Sequence, residues 1–246
     1  MASHNEQECC LSKSPNEIWR LAYSHAMLVQ RITSDVQLAR TLDFKDITGP
    51  DFIRSCAWAI YGAAFSYKTL VRHWDALQEA YLHWDVHEIA AQYATVRETA
   101  LRSINNSRKV NSILSISSDL ETRGWAEVKA TLQGFISYDQ RGNPVETPAL
   151  IDYLDRLPYV GPVLATFIAK NIGIDAIKHD IWIRRLAKHM GYRCDKPGVN
   201  AMASDFQSIS GERINVIDTV LWNWAAVPQG CLEPIEPCPG RSCVCT

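Results

Sequence analysis

Residues 52–67 read FIRSCAWAIYGAAFSY, apolar on nearly every face of a helix. A segment of that kind belongs in the middle of other helices, buried all round. The surrounding sequence supplies them. From Pro15 to Thr41, Ile18, Leu21, Ala22, Met27, Leu28, Ile32 and Leu38 recur at roughly helical spacing and predict a helix over that stretch. Thr48-Gly49-Pro50-Asp51 is a turn and helix-start signal ahead of the apolar segment. Residues 74–99 form a more acidic amphipathic stretch, with Asp75, Glu79, Asp85, Glu88 and Glu98 against Arg97. Asn105 to Ser107 and Thr122 to Gly124 punctuate shorter helices, and DQRGNPVETP, Asp139 to Pro148, is the clearest loop. No alternation of period two is sustained and no internal repeat is present. The expected fold class is all-α.

The 246 residues, 47% of them hydrophobic, suffice for one large domain or two small ones and exclude global disorder. A formal net charge of −2 and a pI near 6.4 exclude a general polyanion-coating protein. No run approaches the ~20 apolar residues that span a bilayer, and MASHNEQECCLSKS at the N-terminus lacks the apolar region of a secretion signal. A cytoplasmic protein without a membrane partner is expected. In that compartment the eight cysteines are thiols, core residues or metal ligands rather than disulfides. The GxxxxGK[ST], GxGxxG, GxSxG and HExxH motifs are absent. His83 and His87 stand four apart on one predicted helix, at metal-ligand spacing, but a solvated or packed pair is the simpler reading.

The most informative stretch is Leu154 to Tyr192, LDRLPYVGPVLATFIAKNIGIDAIKHDIWIRRLAKHMGY. A helix breaks at Leu157-Pro158-Tyr159-Val160-Gly161 and resumes with Pro162 in its first turn, where a missing N–H costs nothing. The hairpin aims main-chain N–H groups at whatever lies before the second helix. Gly161 allows close approach there, and a helix N-terminus favours an anion such as a DNA phosphate. Fifteen residues after Ala165, Asp180 opens another helix in HDIWIRR, followed by Ile183 and Arg185. Residues 156–193 hold seven basic and two acidic residues, a net +5 in a chain whose total is −2. Phosphate contacts, which supply most sequence-independent affinity, would sit here.

Hairpin, helix, short loop, Asp, then Ile and Arg is an order that resembles the helix-hairpin-helix DNA glycosylases of the endonuclease III superfamily. Their pattern runs L-P-G-V-G-x-x-x-A and then V-D-x-x-V-x-R. Leu157, Pro158, Val160, Gly161, Ala165, Asp180, Ile183 and Arg185 fall on it, while Tyr159 replaces the first glycine. The detailed match covers about 40 residues, and the segment around residues 52–67 resembles the central barrel helix of the family.

The resemblance implies two helical lobes with a DNA-binding cleft between them. One is a barrel over 48–172 that includes the hairpin; the other combines 1–47 with 173–246. It implies a monomer acting on double-stranded DNA that carries a modified base, flipped out of the stack and released by cleavage of its N-glycosidic bond. Asp180 would stabilise charge developing on the deoxyribose and orient or deprotonate the attacking water. Tyr159, Val160, Gly161, Arg184 and Arg185 would hold the DNA. Strand-nicking members carry a Lys two residues after the hairpin glycine; here Val163 stands there, which implies a monofunctional hydrolase. Lys170 or Lys178 as a displaced nucleophile is the alternative. A further resemblance, to archaeal-type 8-oxoguanine glycosylases, implies a base pocket of Gln30, Lys170, Asp218 and Trp222 and favours an oxidised purine. An alkylated or phage-type hypermodified base, in repair or anti-phage defence, is a second reading. A non-catalytic DNA-binding module is a third.

No cofactor is required for that reaction. The C-terminal GCLEPIEPCPGRSCVCT makes Cys231, Cys238, Cys243 and Cys245 a candidate iron–sulfur or zinc site. The first gap of six matches the loop that often follows this domain in endonuclease III-type enzymes, and the later gaps depart from it. Incidental thiols are the competing reading, and a redox sensor built on the tail is a weaker functional alternative.

Overall fold

The computed structural model describes residues 14–226. Thirteen α-helices and one short antiparallel β-ribbon make up these residues, so the chain is all-α in character. It divides into two compact units, one from residues 14–42 and 175–226, the other Asp43–Ile174. Among the described residues no helix is long and apolar enough to cross a membrane. Cys231, Cys238, Cys243 and Cys245 lie outside the described residues.

The unit formed by both ends of the chain comprises α1 (Pro15–Leu28), α2 (Gln30–Thr41), α11 (Ile181–His189), α12 (Lys196–Ser210) and α13 (Ile214–Ala226). Ser14 and Glu17 close a capping box at the start of α1. The single helix expected over 15–41 is two, broken at Val29. The hydroxyl of Thr33 lies 3.1 Å from the Ala26 carbonyl and 3.3 Å from that of Met27, which gives the exposed C-terminal carbonyls of α1 a donor and lets the chain turn. Helix α13 is the centre of this unit and packs on α1, α2, α11 and α12. Val216, Ile217, Val220, Leu221 and Trp224 meet Ile18, Val36, Leu186, Met202 and Phe206 in one core.

The second unit holds α3 (Gly49–Gly62), α4 (Tyr67–Ala80), α5 (Val86–Ala91), α6 (Tyr93–Ser103), α7 (Ser107–Arg123), α8 (Trp125–Gln133), α9 (Pro148–Asp155) and α10 (Pro162–Asn171). The loop expected over 139–148 contains a turn between β1 (Ser137–Tyr138) and β2 (Pro144–Val145). Thr48 and Asp51 form the capping box of α3, and Phe52, Ile53, Cys56, Ala59, Ile60 and Tyr61 are buried on it. The apolar helix expected to reach residue 67 stops at Gly62. There the Lys109 ammonium, only 2% exposed as a residue, donates to the carbonyls of Tyr61 and Ala63, and Ser66 caps a new helix. The acidic stretch after it is likewise divided. Leu82, His83 and Trp84 adopt positive φ between α4 and α5, so His83 and His87 do not share a helix as their spacing suggested. His87 pairs instead with Glu121 at 3.0 Å.

A held carboxylate and its scaffold

Asp180 is the N-cap of α11, and its extended backbone and short side chain are what that position favours. Its Oδ1 accepts the main-chain N–H groups of Trp182 and Ile183 at 3.0 and 3.1 Å. Its Oδ2 accepts the indole N–H of Trp222 at 2.6 Å and faces the Lys178 ammonium at 3.4 Å. The side chain is 13% exposed and that of Lys178 18%. A carboxylate has about four acceptor positions, two per oxygen; three here take hydrogen bonds, and the Lys178 ammonium forms an ion pair beside the fourth.

Three side chains of α13 hold the connection that leads to this carboxylate. Asn215 Oδ1 accepts from the Ala176 N–H at 3.1 Å, Asp218 Oδ1 from the Lys178 N–H at 2.8 Å, and Trp222 donates to Asp180 itself. Residues 215, 218 and 222 are spaced i, i+3, i+7, one face of a helix, and they grip alternate residues of the connection. The segment is anchored upstream by Asp175, which accepts from Arg213 Nε at 3.0 Å while Arg213 donates to the Leu42 carbonyl at 2.8 Å. His179 lies between two gripped residues, in the electrostatic field of Lys196, Arg184 and Asp195. Its Nε2 is buried without a partner. Burial above all, with the charges of Lys196 and Arg184 adding, pushes the His179 ring down to about 4.

The expected base-pocket residues fall as follows. Asp218 is 1% exposed and bonded to the main chain, while Trp222 is half-buried with its polar edge on Asp180. Gln30 is exposed at the first residue of α2. Lys170 is half-buried in the last turn of α10, in the other unit. Of the basic residues on α11, Arg184 is exposed and donates from Nε to the Cys194 carbonyl at 2.8 Å; the Arg185 guanidinium lies 5.2 Å over the Trp182 ring.

In the second unit the turn from α9 into α10 carries Tyr159, Val160 and Gly161. Tyr159 has a φ of 69°, a left-handed conformation that costs an ordinary residue about 1–2 kcal/mol and glycine almost nothing. Its ring lies 5.8 Å from both the Arg108 guanidinium and the Lys109 ammonium, attractions that offset part of this cost. The Val160 side chain is buried, and its main-chain N–H donates to the Leu157 carbonyl at 3.0 Å and closes the turn. Gly161 has a φ of −120°, open to any residue, and an added Cβ would meet only the Asp155 carboxylate, at 4.0 Å. Neither backbone strain nor packing therefore requires glycine at 161. No side chain caps this helix start.

Asn215, the pairing of Lys178 with Asp180 and the bond from Trp222 to Asp180 were not expected from sequence, where Lys178 entered only as an alternative nucleophile. A signal was present: Asn215, Asp218 and Trp222 interrupt INVIDTVLWNWAA, an otherwise apolar helix, along one stripe. Among the described residues no group of three or more His, Cys, Asp or Glu is assembled as a metal site. No protein-family model matches the chain, and neither a curated protein nor a solved structure matches it.

Proposed function

We propose that the protein is a DNA glycosylase that hydrolyses the N-glycosidic bond of a flipped, modified base, an oxidised purine being favoured. The observation that carries the reading is the scaffold behind Asp180. A helix cap needs only its own side chain, worth about 1 kcal/mol. Here three further side chains of α13 are devoted to its approach and its outer oxygen. Such precision in a single carboxylate is what charge stabilisation and water activation require. In the reaction Asp180 faces the deoxyribose, stabilises its developing positive charge and orients the water that attacks C1′. Asp180 accepts the proton that the water gives up, the base leaves with the bonding electrons, and an abasic sugar remains. The glycine at 161, unexplained by fold, supports close approach of a phosphate to the start of α10.

The test is a panel of duplexes, each with one modified base, assayed for strand breaks with and without alkali. Breaks only after alkali are expected, because Val163 offers no amine. Asp180→Asn is expected to lower base release at least about 100-fold while duplex binding persists; unchanged release would overturn the reading. A second reading, a non-catalytic DNA-binding module, draws on the three hydrogen bonds and one ion pair that already occupy Asp180. It predicts binding without base release from any duplex.

A further inference from the structure

The outer oxygen of Asp180 carries more. It accepts the Trp222 indole N–H at 2.6 Å and pairs with the Lys178 ammonium at 3.4 Å, a longer contact that is an ion pair rather than a hydrogen bond. We infer that Trp222 is a positioning residue that acts through Asp180 rather than by stacking on a base; this rests on the glycosylase reading above. A short hydrogen bond from a neutral N–H to a carboxylate is among the stronger ones a side chain makes. The indole is the last of three residues on the α13 face that grips the connection, so its direction is set by the same helix that sets the path of residues 176–180. The Lys178 ammonium lies 5.9 Å from the Trp222 ring, its own main chain pinned by Asp218. Indole, carboxylate and ammonium thus form one closed cluster.

The cluster also states how the carboxylate becomes available. Oδ1 is committed to the first turn of α11 and cannot turn without uncapping the helix. Oδ2 reaches a substrate only if one of these two partners yields, and the longer Lys178 contact is the one to yield. Trp222 then remains and keeps the oxygen aimed. A residue in that position changes the rate of the chemical step and leaves substrate affinity alone.

The experiment is single-turnover base release on the duplex that the wild type cleaves, over a range of protein concentrations. Trp222→Phe keeps an aromatic face and removes the N–H. The expected result is a maximal rate lowered about 100-fold with an unchanged half-saturating concentration. An unchanged maximal rate overturns the inference, as does a loss confined to half-saturation. If Trp222→Phe does not fold, by circular dichroism and thermal unfolding, the comparison passes to Trp222→Gln and Trp222→Leu. Gln retains an N–H donor and is expected to keep more of the maximal rate; equal losses overturn the inference. A wild type that releases no base from any duplex fails the glycosylase reading itself, a result distinct from an active wild type with an unaffected Phe variant.

Discussion

His179 sits one residue before Asp180, but its environment is opposite in kind. The carboxylate is surrounded by donors, whereas the imidazole has a buried Nε2 with no partner and the charges of Arg184 and Lys196 nearby. Its folded value of about 4 lies below the ordinary 6.5. Between those two values the unfolded chain binds more protons than the folded one, so stability falls as pH drops from 6.5 to 4 and levels below that. His179→Phe is expected to shrink the loss of urea midpoint between pH 7 and pH 5; an equal loss in both proteins would refute it. Lys109 is pushed down to about 8 by burial, and its work is structural, ending α3 by taking two carbonyls. Asp180 as a helix opener was legible in HDIWIRR. The burial of Asp218 and the bond from Trp222 were not, because i, i+4 spacing says which residues neighbour each other and nothing about what they face.

At the scale of elements, periodicity located helical segments and capping chemistry located several starts. Thr48 with Asp51 caps α3 where a helix-start signal was read, and Asn106 caps α7 where only a break between helices was read. Interruptions were the harder part. The breaks at Val29 and Gly62 are favoured by side-chain donors that periodicity does not report, the nearby Thr33 hydroxyl and the distant Lys109 ammonium, which give helix-end carbonyls a donor. Helix α12 offers a test in which propensity and packing disagree. Replacing Gly198 by Ala within a helix ordinarily stabilises by up to about 1 kcal/mol. A Cβ at 198, however, would lie 2.2 Å from the Arg193 carbonyl oxygen, and backbone must move to admit it. Gly198→Ala is therefore expected to destabilise, by about 1–3 kcal/mol, read as a lower urea midpoint at unchanged slope. A stabilised variant would show that the Arg193 loop gives way.

For the whole molecule, the charge balance and its distribution make different statements. A total of −2 gives little long-range attraction to a polyanion, whereas the +5 of residues 156–193 concentrates it on the segment holding the turn into α10 and helix α11. Lys188 is exposed on α11. If it meets a phosphate, Lys188→Ala lowers the slope of log affinity against log salt by about one and weakens all duplexes alike. An unchanged slope would take Lys188 off the interface. The sequence by itself determined that this chain is helical, that the apolar segment beginning at Phe52 is buried as far as Tyr61, and that Asp180 opens a helix. Those properties depend on near neighbours and on the 3.6-residue period. Only the tertiary structure decided which groups converge on that carboxylate. Trp222 lies 42 positions from Asp180, and Asp218 lies 40 from Lys178. No local pattern reports a hydrogen bond across such a distance; it arises when the apolar faces of α13 and its neighbours are buried together and its polar stripe is left facing the chain that leads to Asp180.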